Sequence, residues 1–76
     1  MNITIPKGIS TIYYSGSLEI ALDTYKSYIN QVLEIHDDGL WFKLYNPALP
    51  EFSDLSSLTP SLSYEFTAYS DFIITV

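Results

Sequence analysis

Seventy-six residues carry nine acidic side chains against three lysines and no arginine, a net charge of −6, with 47 % hydrophobic content and no cysteine. That hydrophobicity excludes intrinsic disorder. The charge is opposite to the field that nucleic acids or anionic membranes attract, and the lack of thiols excludes disulfides and thiolate metal sites. There is room for one core, so the chain reads as a single domain spanning residues 1–76.

The opening MNITIPKG is too short and polar for a signal peptide, and no apolar run approaches the roughly 20 residues of a membrane span. The last residues fall within a strand pattern. The expectation is a soluble protein trimmed to its fold. Below roughly 70–80 residues one core rarely supplies more than about 3–5 kcal/mol, so association is the expected staple.

In chain order, Asn2 to Pro6 alternates and stops at proline, as an edge strand does. Lys7-Gly8 is a turn, and the β-branched, aromatic run Ile9 to Tyr14 predicts a second strand ending at Ser15-Gly16. From Ser17 the period changes. Leu18, Ala21, Leu22, Tyr25 and Ile29 recur at helical spacing, with Ser17 as N-cap, which predicts an amphipathic helix of about three turns. Val32 to His36 reads as a third strand, with Leu33 and Ile35 inward and Glu34 and His36 outward. Asp37-Asp38-Gly39 reads as a hairpin turn leading into a fourth strand, Leu40 to Tyr45, where Leu40, Phe42 and Leu44 share one face and Trp41 and Tyr45 the other. Asn46-Pro47 ends it, Pro50 keeps the chain extended, and Leu55 and Leu58 pin the connection onto something apolar. After a turn at Thr59-Pro60-Ser61, a fifth strand runs from Leu62 to Tyr69 and a sixth from Phe72 to Val76. Sequential pairing of the last four strands predicts a β-dominated α+β fold, a small antiparallel sandwich or open barrel of about six strands with one covering helix.

Trp41, Tyr45, Pro47, Leu55, Leu58, Pro60 and Tyr64 follow the order "W-x-x-Y-x-P", polar loop, "L-x-x-L-x-P-G", aromatic strand. About a third of the chain thereby resembles a small β-rich module of phage virion proteins (capsid decoration proteins and fibre heads) and of some secreted bacterial proteins. Ser61 stands where that pattern has glycine, and Asn46 separates Tyr45 from Pro47. The resemblance implies a virion structural protein, a capsid decoration (cement) protein that is assembled in the host cytoplasm, binds the major capsid protein and commonly acts as a trimer.

The residues carry little chemistry. His36 is the only histidine and any triad would have to use it; a solvated histidine at a strand end is the commoner case. Asp37 and Asp38 diverge and lack the alternating oxygen donors of a calcium loop. Glu19 and Asp23 share one exposed helix face, unlike the opposed carboxylates of a glycosidase. Gly8, Gly16 and Gly39 sit at separate turns, so no phosphate-cradling loop exists. The chain is therefore expected to be no enzyme and to bind no cofactor or metal. Tyrosine and tryptophan remain, because they bury large area and keep a polar tip. Tyr13, Tyr14, Tyr45 and Tyr69 are the candidate partner-binding residues. Trp41 and Tyr64 are assigned to the core. The alternative to a decoration protein is a carbohydrate-binding module of a tail fibre or adhesin, with these aromatics stacking on sugars.

Overall fold

Strand β1 (Asn2–Ile5) pairs antiparallel with β8 (Phe72–Thr75), and β2 (Gly8–Tyr14) pairs antiparallel with β7 (Leu62–Ala68). The computed structural model describes residues 2–36 and 41–75, without the side chains of Trp41 and Phe42. The two ladders are one long bent pair. Gly8 faces Ala68 and Ile5 faces Phe72, so the register slips by one residue at the corner. Pro6 cannot donate to a ladder and Gly8 takes φ +94°, so the chain turns there at low cost. The Lys7 N–H locks the corner by donating to Asp71 Oδ1 at 2.6 Å.

Strand β4 (Ile29–Ile35) pairs antiparallel with the other side of β7, and β5 (Trp41–Tyr45) pairs antiparallel with β4, giving the order β2-β7-β4-β5. The β-dominated, antiparallel architecture is as expected, and the sheets do not close into a barrel. The sequential meander is not what forms: β7 lies between β2 and β4, and β8 leaves it to pair with β1. The pattern of β7 explains its central place. Tyr64, Phe66 and Ala68 point to the core in strict alternation, and both neighbours match that pleat.

The core lies between the inner face of this sheet and the β1–β8 pair folded over it. Val32, Tyr45, Phe66 and Tyr64 from the sheet meet Ile5, Phe72 and Ile74 from the pair, with Leu22, Leu55 and Leu58 closing one end. Fully burying each such side chain contributes about 1.5–3 kcal/mol before the entropic cost.

Strand β4 corrects the expected facing. Its register is irregular between Ile29 and Gln31, and past that point Val32 and Glu34 turn inward while Leu33 and Ile35 are only half-buried. One extra residue exchanges the two faces of a strand. On β5 the register jumps from Lys43, opposite Glu34, to Trp41, opposite Ile35, an irregularity between the two strands that an alternating pattern does not carry. The Asp37-Asp38-Gly39 turn, Leu40 and the side chains of Trp41 and Phe42 lie outside the described residues.

The expected three-turn helix is also replaced. Ile20–Ala21 (β3) pairs with Ser57–Leu58 (β6), and Leu22–Tyr28 winds as a 3-10 helix with Ala21, not Ser17, before its first residue. Leu22, Tyr25 and Tyr28 repeat every three residues, which is the 3-10 period. Three of the seven residues are Thr or Tyr, poor α-formers. Upstream, the Tyr14 hydroxyl donates to the Leu18 carbonyl and its buried ring packs against Gly16, where a Cβ would overlap it.

The connection from Asn46 to Ser61 folds back onto β5. Asp54 Oδ1 accepts from the Leu44 N–H at 2.8 Å, and the Leu44 carbonyl accepts from the N–H groups of Asp54 and Leu55. Pro50 does not extend the chain; it opens a 3-10 turn, Pro50–Phe52. Leu55 and Leu58 are buried, as expected of pins. Ser61 takes φ +69° directly after Pro60, as position i+2 of a type II turn requires. Its N–H donates to the Tyr14 carbonyl at 2.8 Å while Leu62 faces the same residue. Two residues against one, the first left-handed, is the bulge that favours glycine.

Candidate functional site

Among the described residues, three places on this scaffold gather side chains that could meet a ligand or partner or do chemistry. The first is the outer face of the four-stranded sheet. Register puts Ile9 beside Thr67 and Gln31, Thr11 beside Glu65, Leu33 and Leu44, and Tyr13 beside Ser63 and Ile35. Ile9 is 73 % exposed and Tyr13 62 %, while Leu33, Ile35 and Leu44 are half-buried on the same face. β2 ends the sheet on this side. The Tyr14 carbonyl accepts on the β7 side, so by alternation Ile9, Thr11 and Tyr13 turn their N–H and C=O groups to the open edge.

The second place is a groove of about 580 Å³ between the first 3-10 helix and β8, lined by Thr4, Thr24, Tyr25, Tyr28, Asp71 and Phe72, with Ile73 at its edge. The Tyr28 and Phe72 rings stack with centroids 5.2 Å apart and planes 11° off parallel. Tyr25 meets Phe72 at 5.7 Å and 34°. The Tyr25 hydroxyl accepts from the Thr75 N–H at 3.0 Å, which places that side of β8 towards the helix; by alternation Ile73 turns its amide and carbonyl the same way. The Tyr28 carbonyl accepts from the Tyr69 N–H at 2.8 Å and fixes the helix end to the corner.

The third is a buried polar cluster. Glu34, 5 % exposed, faces Tyr64 across the ladder and has His36 Nε2 2.8 Å from its Oε1. The Tyr64 hydroxyl accepts from the Thr59 N–H at 2.7 Å, and its single proton is shared between Glu34 Oε2 and the Thr59 carbonyl, both at 3.4 Å. Burial raises the Tyr64 pKa above 10; the Thr59 hydrogen bonds oppose that and the Glu34 charge adds to it. His36 is half-buried beside a carboxylate and is not the solvated strand-end residue expected from its position. The cluster ties β4 to the turn before β7. Among the described residues no three His, Asp or Glu side chains converge as metal ligands.

The four candidate tyrosines separate. Tyr13 is on the outer sheet face; Tyr69 is 57 % exposed at the corner, its hydroxyl accepting from Asn30 Nδ2 at 3.1 Å. They are not one patch: Tyr13 lies opposite Ser63, six residues before Tyr69, or roughly 20 Å along the strand. Tyr14 and Tyr45 are corrections. Both are buried, Tyr14 against Gly16 and Tyr45 under the first 3-10 helix, where its hydroxyl donates to Asp23 Oδ1 at 2.8 Å. Burial and the Asp23 carboxylate push the Tyr45 pKa up to about 12. The stacked Tyr28–Phe72 pair lies outside the sequence expectation, although the three-residue spacing of Leu22, Tyr25 and Tyr28 is its signal in the sequence.

No family model matches the chain, and no curated protein or solved structure matches it either.

Proposed function

We propose that the chain is a structural protein of a virus particle: a capsid decoration protein that docks on the shell through the outer face and open edge of β2. The observation that carries this reading is a sheet face with Ile9 and Tyr13 more than half exposed on its edge strand and Leu33, Ile35 and Leu44 half-buried on β4 and β5. Isolated surface apolar groups are ordinary, but these share one sheet face, with Ser63, Glu65 and Thr67 of β7 between the two rows, and Ile9 and Tyr13 border a seven-residue edge that pairs with no strand among the described residues. Tyr13, on the edge strand of this face, contributes contact area at low entropic cost. A charge of −6 suits a basic patch on the partner. The motif order from Trp41 to Tyr64 supports the virion setting. Its occupant is the major capsid protein, with further copies of the chain as neighbours, a trimer by the same resemblance.

The test is co-sedimentation of the purified protein with assembled capsid shells, beside light scattering of the free protein over a hundredfold dilution. Ile9→Asp with Tyr13→Lys is expected to abolish sedimentation while leaving the melting temperature within a few degrees. Equal sedimentation of parent and double variant, or none by the parent, contradicts the reading.

A further inference from the structure

We propose that the groove between the first 3-10 helix and β8 is a binding site for neutral pyranose sugars, with Tyr28 as the stacking platform. The inference goes beyond the docking reading and uses a different part of the surface. Tyr28 is 42 % exposed although its ring lies parallel to Phe72, which supports it on one side. A large ring held flat by a buried neighbour and lining a groove of about 580 Å³ is a prepared surface for a flat apolar face. The C–H side of a pyranose is such a face, with its C–H dipoles directed at the negative face of the ring.

Polar groups stand where the sugar's hydroxyls would emerge. Asp71 has the Lys7 N–H on its Oδ1, Thr4 and Thr24 line the groove from β1 and the helix, and by alternation from Thr75 the Ile73 amide and carbonyl turn towards the helix. That set combines fixed donors and acceptors around an apolar floor, as sites for small polar ligands do. Electrostatics narrow the class. The protein carries −6 and the rim carries a carboxylate, so sialylated, uronic or sulfated sugars are repelled. A quaternary ammonium would tolerate the charge, but it is gripped by rings on several sides. Here Phe72 is buried, with Tyr28 stacked on it and Tyr25 tilted against it at 34°, so the three rings pack on one another as a cluster, and choline is the comparator that tests the choice.

The experiment is an NMR titration of the full chain. The probes are neutral tetrasaccharides built from glucose, galactose, mannose and N-acetylglucosamine, with sialyllactose and choline chloride as charged comparators. Saturable shifts of the Tyr28, Asp71 and Ile73 amides by at least one neutral tetrasaccharide, with Kd below about 5 mM, are expected. Tyr28→Ala should weaken that binding at least tenfold and Tyr28→Trp should keep it, whereas Tyr13→Ala should change nothing. Circular dichroism of each variant separates lost binding from lost fold; should Tyr28→Ala unfold, Thr24→Val with Asp71→Asn must weaken binding in its place. Binding of choline or sialyllactose alone, shifts confined to the Tyr13 face, or no neutral probe binding at about 10 mM overturns the proposal. None of these outcomes bears on shell binding.

Discussion

Replacing Tyr64 by Phe removes one oxygen from the middle of the fold and is expected to cost about 2 kcal/mol. The ring is fully buried between β2 and β4 and keeps its volume in the variant, so the cavity contribution is small. The loss is polar. The Thr59 N–H, 2.7 Å from the hydroxyl, loses its acceptor at a partly buried position, which costs about 0.5–1.5 kcal/mol. Glu34, 5 % exposed, loses the shared proton at 3.4 Å and keeps His36, a further cost of about 1 kcal/mol for a long bond to a buried acceptor. For a domain of this size about 2 kcal/mol lowers Tm by roughly 8–16 °C. Urea melts of parent, Tyr64→Phe, Glu34→Gln and the double variant give both the cost and the coupling. A coupling of about 0.5 kcal/mol or more is expected for groups in one network. A single variant within about 0.5 kcal/mol of the parent at equal m-value would refute the description of the cluster as structural.

Gly16→Ala should destabilise by about 1–3 kcal/mol in the same melts, because its Cβ overlaps the buried Tyr14 ring; Gly8→Ala, where a Cβ meets nothing, should lose only the cost of φ +94°. Ser61→Gly should stabilise by about 0.5–1 kcal/mol, since relief of the left-handed φ of 69° exceeds the added chain entropy of glycine. Tyr45 predicts alkaline sensitivity. Its folded pKa of about 12 exceeds the ordinary 10.0, so its contribution is complete below pH 10 and is lost as pH rises towards 12; Tyr45→Phe should flatten that stretch of a Tm-against-pH curve.

Legibility from the sequence followed how local each determinant is. The run Leu62 to Ala68 alternates cleanly, and its buried residues are those the pattern names. The ends of β1 at Ile5 and β5 at Tyr45, and the pins Leu55 and Leu58, follow from proline and leucine positions. The 3-10 helix is hidden in the sequence because Leu18, Leu22, Tyr25 and Ile29 also fit a period of 3.6. Only pairing of Ile20–Ala21 with Ser57–Leu58, far along the chain, takes the first turn away. The facing of β4 was illegible for a related reason. Val-Leu-Glu-Ile-His argues for Leu33 and Ile35 inside, and Glu34 is admitted to the core only because Tyr64 and His36 are there to meet it. Adjacent Tyr13 and Tyr14 look alike in sequence, yet alternation exposes one and buries the other under Gly16. Tyr45 likewise has its partner, Asp23, 22 residues away.

Hydrogen exchange of the chain, free and bound to assembled capsid shells, tests docking through β2 most directly. The Ile9, Thr11 and Tyr13 amides point to the open edge and should exchange fast in the free protein, then slow markedly on the shell, while β8 amides change little. Unchanged exchange along β2 in shell-bound protein, or protection gained only beside Tyr28 and Ile73, would contradict it.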